Sequence, residues 1–158
     1  MDERIEKLST PEHCEIFARN ALERGHPDLA SQARKKAIQL RARNHGVTSS
    51  AKVECLQAIY AYENVLTKKN GRTTRATRTW QMIDRHGLLQ AVEKAVNRPT
   101  QTAGYKALSE MGLQDFAFEA VILKYPGEFS QAAVERSKQR MMEWKTSETH
   151  PRPRADAE

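Results

Sequence analysis

Cysteine is scarce in this sequence, and its scarcity excludes two common ways of stabilising a small protein. Only Cys14 and Cys55 occur among the 158 residues, and each stands among apolar neighbours. A disulfide scaffold or a structural zinc site needs more ligands at closer spacing. We therefore expect both residues to be reduced, buried thiols in a cytoplasmic protein.

Long hydrophobic runs and secretory features are also missing. No apolar run approaches the ~20 residues that a membrane-spanning helix requires. The first residues, Met1-Asp2-Glu3-Arg4, are acidic and polar, which does not match a secretory signal. These features predict a cytoplasmic protein that does not associate with a membrane.

Patterns typical of catalysis or metal binding are equally poor. The five histidines include no pair at metal-ligand spacing. The sequence also has no Gly-rich phosphate loop, no nucleophile elbow and no carboxylate cluster for Mg²⁺. Asp84 and His86 flank Arg85, but neighbouring residues on a helix point in different directions. We expect no enzymatic activity, no cofactor and no metal.

Glycine and proline divide the chain into predicted helices. Five of the seven glycines follow an apolar-periodic stretch, where a left-handed C-cap residue belongs. Pro11 follows Thr10 as a first-turn proline should, and no segment shows the alternation of a strand. The sequence therefore predicts an all-α fold, a compact single-domain bundle of about seven or eight short helices. The predicted helices are 11–24, 28–44, 49–69, 74–86, 88–97, 102–111, 114–125 and 130–144.

Two of these helices are predicted to form the core. Residues 49–69 carry an apolar face that includes Cys55, Leu56 and Ile59 and is wider than a surface helix needs. Residues 114–125 are apolar on nearly every side. We assign residues 1–144 to the helical domain and residues 145–158, which show no periodicity, to a disordered C-terminal tail.

Positive charge is abundant, and it is distributed unevenly. Two windows, 29–53 and 64–83, contain basic residues and no acidic one. Because the windows carry +11 and the whole chain only +6, the remaining residues sum to −5. Such segregation indicates a polyanionic partner, and nucleic acid is the commonest of these. The basic residues of the two windows are Arg34, Lys35, Lys36, Arg41, Arg43, Lys52, Lys68, Lys69, Arg72, Arg75 and Arg78.

The sharpest local signal is residues 71–80, where arginine recurs every third residue between threonines. A helix that begins near Thr73 or Thr74 would point Trp80 inward and the arginines outward. Free N–H groups at a helix start suit phosphate, and arginine forks and threonine hydroxyls add donors. The residues that we expect to contact nucleic acid are Arg34, Arg41, Arg43, Lys68, Lys69, Arg72, Thr74, Arg75, Thr77, Arg78 and Arg85.

Two segments partly match a helix-turn-helix unit. The first has Gly87 in its turn and a favourable charge, but Glu93 falls on a position that should be buried. The second has Gly112 in its turn and fits the apolar pattern, but Asp115 and Glu119 would be repelled by a DNA groove. Neither match is strong, and we predict phosphate contacts that give more affinity than sequence specificity.

The favoured function is non-enzymatic binding of nucleic acid. DNA is preferred over RNA because exposed aromatic residues for base stacking are expected to be scarce. Two other interpretations stay open. The arginines could form a solvated face neutralised by acids such as Glu63 or Asp84. Alternatively, the protein is a helical adaptor or inhibitor of a protein partner, and the apolar end at Met141, Met142 and Trp144 matters more.

Overall fold

A computed structural model describes residues 1–97 and 102–149 of the chain. These residues form nine α-helices and two 3-10 turns and contain no strand, so the predicted all-α fold is confirmed. The 3-10 turns are Gln114–Phe116 and Pro126–Glu128. The helices are α1 (Glu3–Glu6), α2 (Pro11–Glu23), α3 (Pro27–Arg43), α4 (Ser50–Asn70), α5 (Thr77–His86), α6 (Leu88–Asn97), α7 (Thr102–Glu110), α8 (Phe118–Lys124) and α9 (Gln131–Thr149).

The helix boundaries follow the glycines, prolines and hydroxyl residues of the sequence. α2 begins at Pro11, and the Thr10 hydroxyl accepts a hydrogen bond from the His13 N–H (3.2 Å). The five glycines predicted to end helices all have positive φ angles, between 68° and 84°. Among them, Gly71 ends α4 in a left-handed conformation that glycine adopts without steric cost. The chain then turns sharply into the arginine-rich segment.

α4 lies at the centre of the core, as the sequence predicts. Its residues Cys55, Leu56 and Ile59 are at most 1% exposed. One face of α4 packs with α6, α8 and α9, and another packs with α3, α7 and the first 3-10 turn. A smaller cluster, composed mostly of alanine, holds α1 and α2 against α3. α3 therefore connects the N-terminal helices to the main core.

Both cysteines are buried, free thiols. Burial raises the pKa of Cys55 to about 12 and raises the pKa of Cys14 above its ordinary value. Because the thiolate is the reactive form of cysteine, these shifts favour the inert, neutral form. The two residues therefore act as small apolar groups in the core.

The segment 114–125 is buried as predicted, but it is not one continuous helix. Ala117 adopts an extended backbone conformation (φ −61°, ψ 145°) that separates the first 3-10 turn from α8. Phe116 packs against the α3–α7 side of the core, and Phe118 packs against the α6–α9 side. The segment 114–125 therefore contributes to both sides of the core.

The two ends of the described chain are more helical than the sequence predicts. The short helix α1 buries Ile5 completely against α3, although its four residues are too few to show a periodic pattern. α9 extends to Thr149, beyond the predicted end at residue 144. Its residue Trp144 stacks on Tyr105 of α7, with ring centroids 4.1 Å apart. The rest of the predicted disordered tail, 150–158, lies outside the described residues.

Candidate nucleic-acid interface

The arginine-rich segment forms a tight loop followed by the start of α5. The loop folds back on the end of α4, because the Thr74 N–H donates to the Thr67 hydroxyl (3.0 Å). The Thr74 hydroxyl donates to the Arg72 carbonyl (2.8 Å) and accepts from the Asn70 side-chain amide (3.1 Å). Since Thr74 is held by these contacts, α5 begins at Thr77 rather than at the predicted residue 74. The Thr74 hydroxyl stabilises the loop, whereas the Thr77 side chain is exposed.

The carboxylate of Glu63 occupies the start of α5. Its Oε2 accepts hydrogen bonds from the Ala76 backbone N–H (2.7 Å) and from the Trp80 indole N–H (2.8 Å). The Nε of Arg75 lies 3.9 Å from the same oxygen, and the Glu63 side chain is only 14% exposed. A helix start carries partial positive charge, so a carboxylate is stabilised there. The Glu63 carboxylate thus lies close to the position at which the sequence predicts a bound phosphate.

Three rings form an aromatic cluster beside Glu63. The rings of His45 and Trp80 are nearly parallel, at 5°, with centroids 5.6 Å apart, and Tyr60 meets Trp80 at 5.4 Å. The His45 Nε2 shares a hydrogen bond of 2.7 Å with the Tyr60 hydroxyl. The Arg75 guanidinium lies 5.6 Å from the Trp80 ring, a cation–π distance. We call His45, Tyr60 and Trp80 the aromatic cluster.

The aromatic cluster is the place where the two basic windows meet. His45 belongs to the window 29–53 and Trp80 to the window 64–83, and their rings are in contact. The pKa of Tyr60 is raised by burial and by the charge of Glu63, while Arg75 and Arg41 both lower it. One arginine from each window therefore acts on the same phenol. The two windows are therefore in contact at His45 and Trp80.

Most of the predicted contact residues are exposed where α4 ends and α5 begins. We call this surface the basic corner. Of its side chains, Arg75 is 71% exposed, and Lys68 is 55% exposed with Glu110 at 3.8 Å. Arg43, at the end of α3, and Arg85, near the end of α5, are also exposed. The basic corner consists of Lys68, Lys69, Arg72, Arg75 and Arg78, all exposed.

Two of the predicted basic contact residues are less exposed than the others. Arg34 is half-buried in α3, and desolvation by burial lowers the pKa of its guanidinium. Arg41 is half-buried and forms an ion pair with Glu15 of α2. Both residues are less available to a polyanion than those of the basic corner. The sequence pattern did not distinguish them, because both lie on a helix with a basic residue at almost every turn.

Both candidate helix-turn-helix units pack their second helix on the core. α6 follows Gly87, but it packs on α4, α8 and α9 and buries Val92 and Val96 completely. Its Glu93 accepts a hydrogen bond from the Ser130 N–H (2.6 Å), just before α9. In the second unit, α8 packs on α4 and α9, and its Glu119 is 7% exposed. Each of these helices therefore buries at least one face in the core.

A small, partly open cavity lies on the inner side of α5. Its volume is about 150 Å³, and aromatic residues of α4, α7 and α9 contribute to its lining. The cavity also borders an ion pair between Arg140 Nη1 and Glu119 Oε1 (3.1 Å), whose side chains are 16% and 9% exposed. Buried Thr79 of α5 lines the same cavity. The helix that carries Arg78 and Arg85 therefore rests on this part of the core.

No protein-family model, curated protein or solved structure matches this chain at a significant level. Within residues 1–97 and 102–149, no three or more His, Cys, Asp or Glu side chains are grouped as metal ligands would be. Over the same residues, no helix is both long and apolar enough to cross a membrane. The function must therefore be inferred from the geometry of the molecule itself.

Replacing Glu63 with glutamine should destabilise the protein by about 1–2 kcal/mol, because hydrogen bonds to a charged acceptor are stronger than those to a neutral one. Glutamine keeps the length of the side chain and one acceptor oxygen, so the change isolates the charge. Urea denaturation monitored by circular dichroism measures the loss. Glu110→Gln, which removes an exposed carboxylate near Lys68, is the matched control and should change stability by less than about 0.5 kcal/mol. Equal stability of the two variants would show that Glu63 does not hold the start of α5.

Proposed function

We propose that this protein binds nucleic acid without catalysis, with DNA favoured over RNA, and that the basic corner contacts the phosphates. The observation that carries the proposal is the segregation of charge into two acid-free windows that meet at the aromatic cluster. A polyanion reaching this surface finds five exposed cationic side chains within one helix end, one loop and one helix start. Segregated positive charge of this kind typically meets phosphate.

The side chains of the basic corner, rather than the backbone, supply the phosphate contacts. Glu63 already accepts the hydrogen bond of Ala76 at the start of α5. Arg72 and Arg78 are exposed, with no acidic partner within 4.0 Å among the described residues, so they are the strongest contacts. Arg75 contributes less because it shares its charge with Glu63. Contacts of this type position a duplex or a strand without reading base edges.

The alternative is a helical adaptor or inhibitor that binds a protein. The sequence argument for this alternative depends on the apolar residues Met141, Met142 and Trp144 as a binding surface. Trp144, however, is 6% exposed and stacks on Tyr105. Met141 is half-buried, which leaves Met142, 69% exposed, as the accessible apolar residue of that group. A single exposed methionine is common on monomeric proteins. This end of α9 therefore favours the adaptor less than its sequence suggested.

The double variant Arg75→Gln/Arg78→Gln tests the proposal. Binding of unrelated DNA sequences should weaken to a similar extent, and the slope of log affinity against log salt should fall by about two units or somewhat less. Fluorescence anisotropy at several salt concentrations measures both quantities. The thermal midpoint should hardly change, because exposed arginines contribute little to stability.

A matched control removes the same charge elsewhere. Arg136→Gln/Lys138→Gln lies on α9, outside both windows, and its two side chains are exposed. This control should keep most of the affinity and most of the salt slope. If the two double variants behave alike, or if the basic-corner variant binds like wild type, the arginines are a solvated face and the adaptor becomes the better proposal.

A further inference from the structure

An open cleft lies beside the aromatic cluster, between the start of α2, the end of α3 and the middle of α4. Its volume is about 430 Å³, within the range of roughly 300–1,000 Å³ typical of ligand sites. The lining is more polar than apolar, and it combines hydroxyls, an amide and two rings. Residues that line the cleft include Ser9, Thr10, Arg41, Asn44, His45 and Tyr60.

Positive charge is not in excess in the cleft, which argues against a phosphate as its occupant. Arg41 lines the cleft, but Glu15 pairs with its guanidinium. The side chain of Glu12 adds a carboxylate to the same lining. A phosphate would need an excess of positive charge here, whereas a neutral group with donors and acceptors would not. The cleft therefore suits a polar, uncharged group.

The ring of His45 is suited to hold a planar group. Its side chain is exposed, yet its orientation is fixed by the stack on Trp80 and by the hydrogen bond with Tyr60. A ring that is already fixed loses little entropy when a second ring stacks on it. The neighbouring Asn44 is exposed and offers both a donor and an acceptor, the pair that recognises the edge of a base.

The aromatic cluster lies between the cleft and the basic corner. The Arg75 guanidinium lies 5.6 Å from the Trp80 ring, and Trp80 stacks on His45 at the cleft. Arg43, which is exposed, directly precedes Asn44 in the chain. A base in the cleft would thus lie near the positive charge of Arg75.

We propose that the cleft binds one unstacked base of a DNA strand whose phosphates lie on the basic corner. This inference rests on the proposed function and adds to it the form of the ligand, a single-stranded segment or an extruded nucleotide. The base stacks on His45, and Asn44 hydrogen-bonds to its edge. Because only one base position is involved, the protein prefers unpaired DNA and has little preference for sequence.

The test compares two single strands that have the same number of phosphates. One is a labelled oligothymidylate, and the other is an oligomer of equal length that carries abasic sites in place of every base. Fluorescence anisotropy at low salt should show that wild type binds the base-containing strand about tenfold more tightly, as expected for one stacked base. Asn44→Ala and His45→Ala should reduce this ratio toward one, with little change in the affinity for the abasic strand.

A control variant separates the base site from the phosphate contacts. Arg78→Gln should weaken binding of both strands and leave their ratio unchanged. His45→Ala loses contacts with Trp80 and Tyr60, so a thermal melt accompanies it. Asn44→Ala removes only an exposed side chain and keeps the test decisive if His45→Ala proves unstable.

The outcomes distinguish the base site from the proposed function as a whole. If wild type binds both strands equally, the base site is overturned and the proposed phosphate binding is not. The base site is also overturned if both cleft variants keep the tenfold ratio. If wild type binds neither strand and no duplex, the proposed function and this inference are both overturned.

Discussion

Truncation of Trp80 to alanine should cost about 3 kcal/mol of folding free energy, at the low end for a tryptophan because the indole is half-buried. The loss has three sources: the packing of the ring, the hydrogen bond from the indole N–H to Glu63, and the contacts with His45 and Tyr60. Without the indole, the Glu63 carboxylate also loses one of its donors. Because small domains are stable by only about 5–15 kcal/mol, this loss lowers the thermal midpoint by several degrees.

Trp80→Phe provides the matched comparison. Phenylalanine keeps most of the ring packing and removes only the N–H donor, so its cost should be well below that of alanine. Both variants retain Trp144, the other of the two tryptophans, as a fluorescent probe of unfolding. If Trp80→Ala keeps the full thermal stability of wild type but no longer binds nucleic acid, then Trp80 stacks on bases and is not a structural anchor.

The second large effect concerns the ion pair beside the small cavity. Arg140→Met should destabilise the protein by about 3–5 kcal/mol, because it leaves the carboxylate of Glu119 buried without its cation. Chemical denaturation measures the change. The loss arises from the unpaired charge and not from missing volume, since methionine retains much of the apolar part of arginine.

Two further variants separate charge from packing at this site. The double variant Glu119→Leu/Arg140→Met removes both charges and should recover most of the stability, as replaced buried ion pairs often do. Lys7→Met removes the cation of a pair with Glu3 whose side chains are 74% and 81% exposed. That change should cost less than about 0.5 kcal/mol. A loss for Arg140→Met no greater than for Lys7→Met would show that the pair at the cavity is solvated.

Most of the fold follows from local features of the sequence. Helix ends at Pro11, Gly71 and Gly87 depend on backbone geometry that only a few residue types favour, so these ends could be predicted. The break at Ala117 could not, because residues 114–125 contain no glycine or proline that would signal it. Tertiary packing overrides helix propensity at this point.

The candidate site was predictable in its charges and not in its contacts. Exposed arginines such as Arg72 and Arg78 were visible as a run without acidic residues. The role of Glu63 depends on the fold of the loop that follows α4. This loop brings Ala76 and Trp80 back to Glu63, which lies more than one helical turn before the end of α4. His45 likewise reaches Trp80 only because α3 ends beside the middle of α4. Contacts between residues so distant in sequence leave no periodic signal.

The bonds that Glu63 makes with Ala76 and Trp80 have a consequence for the rate of encounter with a ligand. The loop is held against α4 before any partner arrives. Its arginines are therefore presented by an ordered backbone, and no segment has to fold before it binds. Association should therefore proceed in one step, with an observed rate that rises linearly with nucleic-acid concentration in stopped-flow mixing. Electrostatic attraction would speed that step, and added salt would slow it. Glu63→Gln should loosen the loop without changing its arginines. Binding should then show an additional kinetic phase, the ordering of the loop, whose rate does not depend on nucleic-acid concentration.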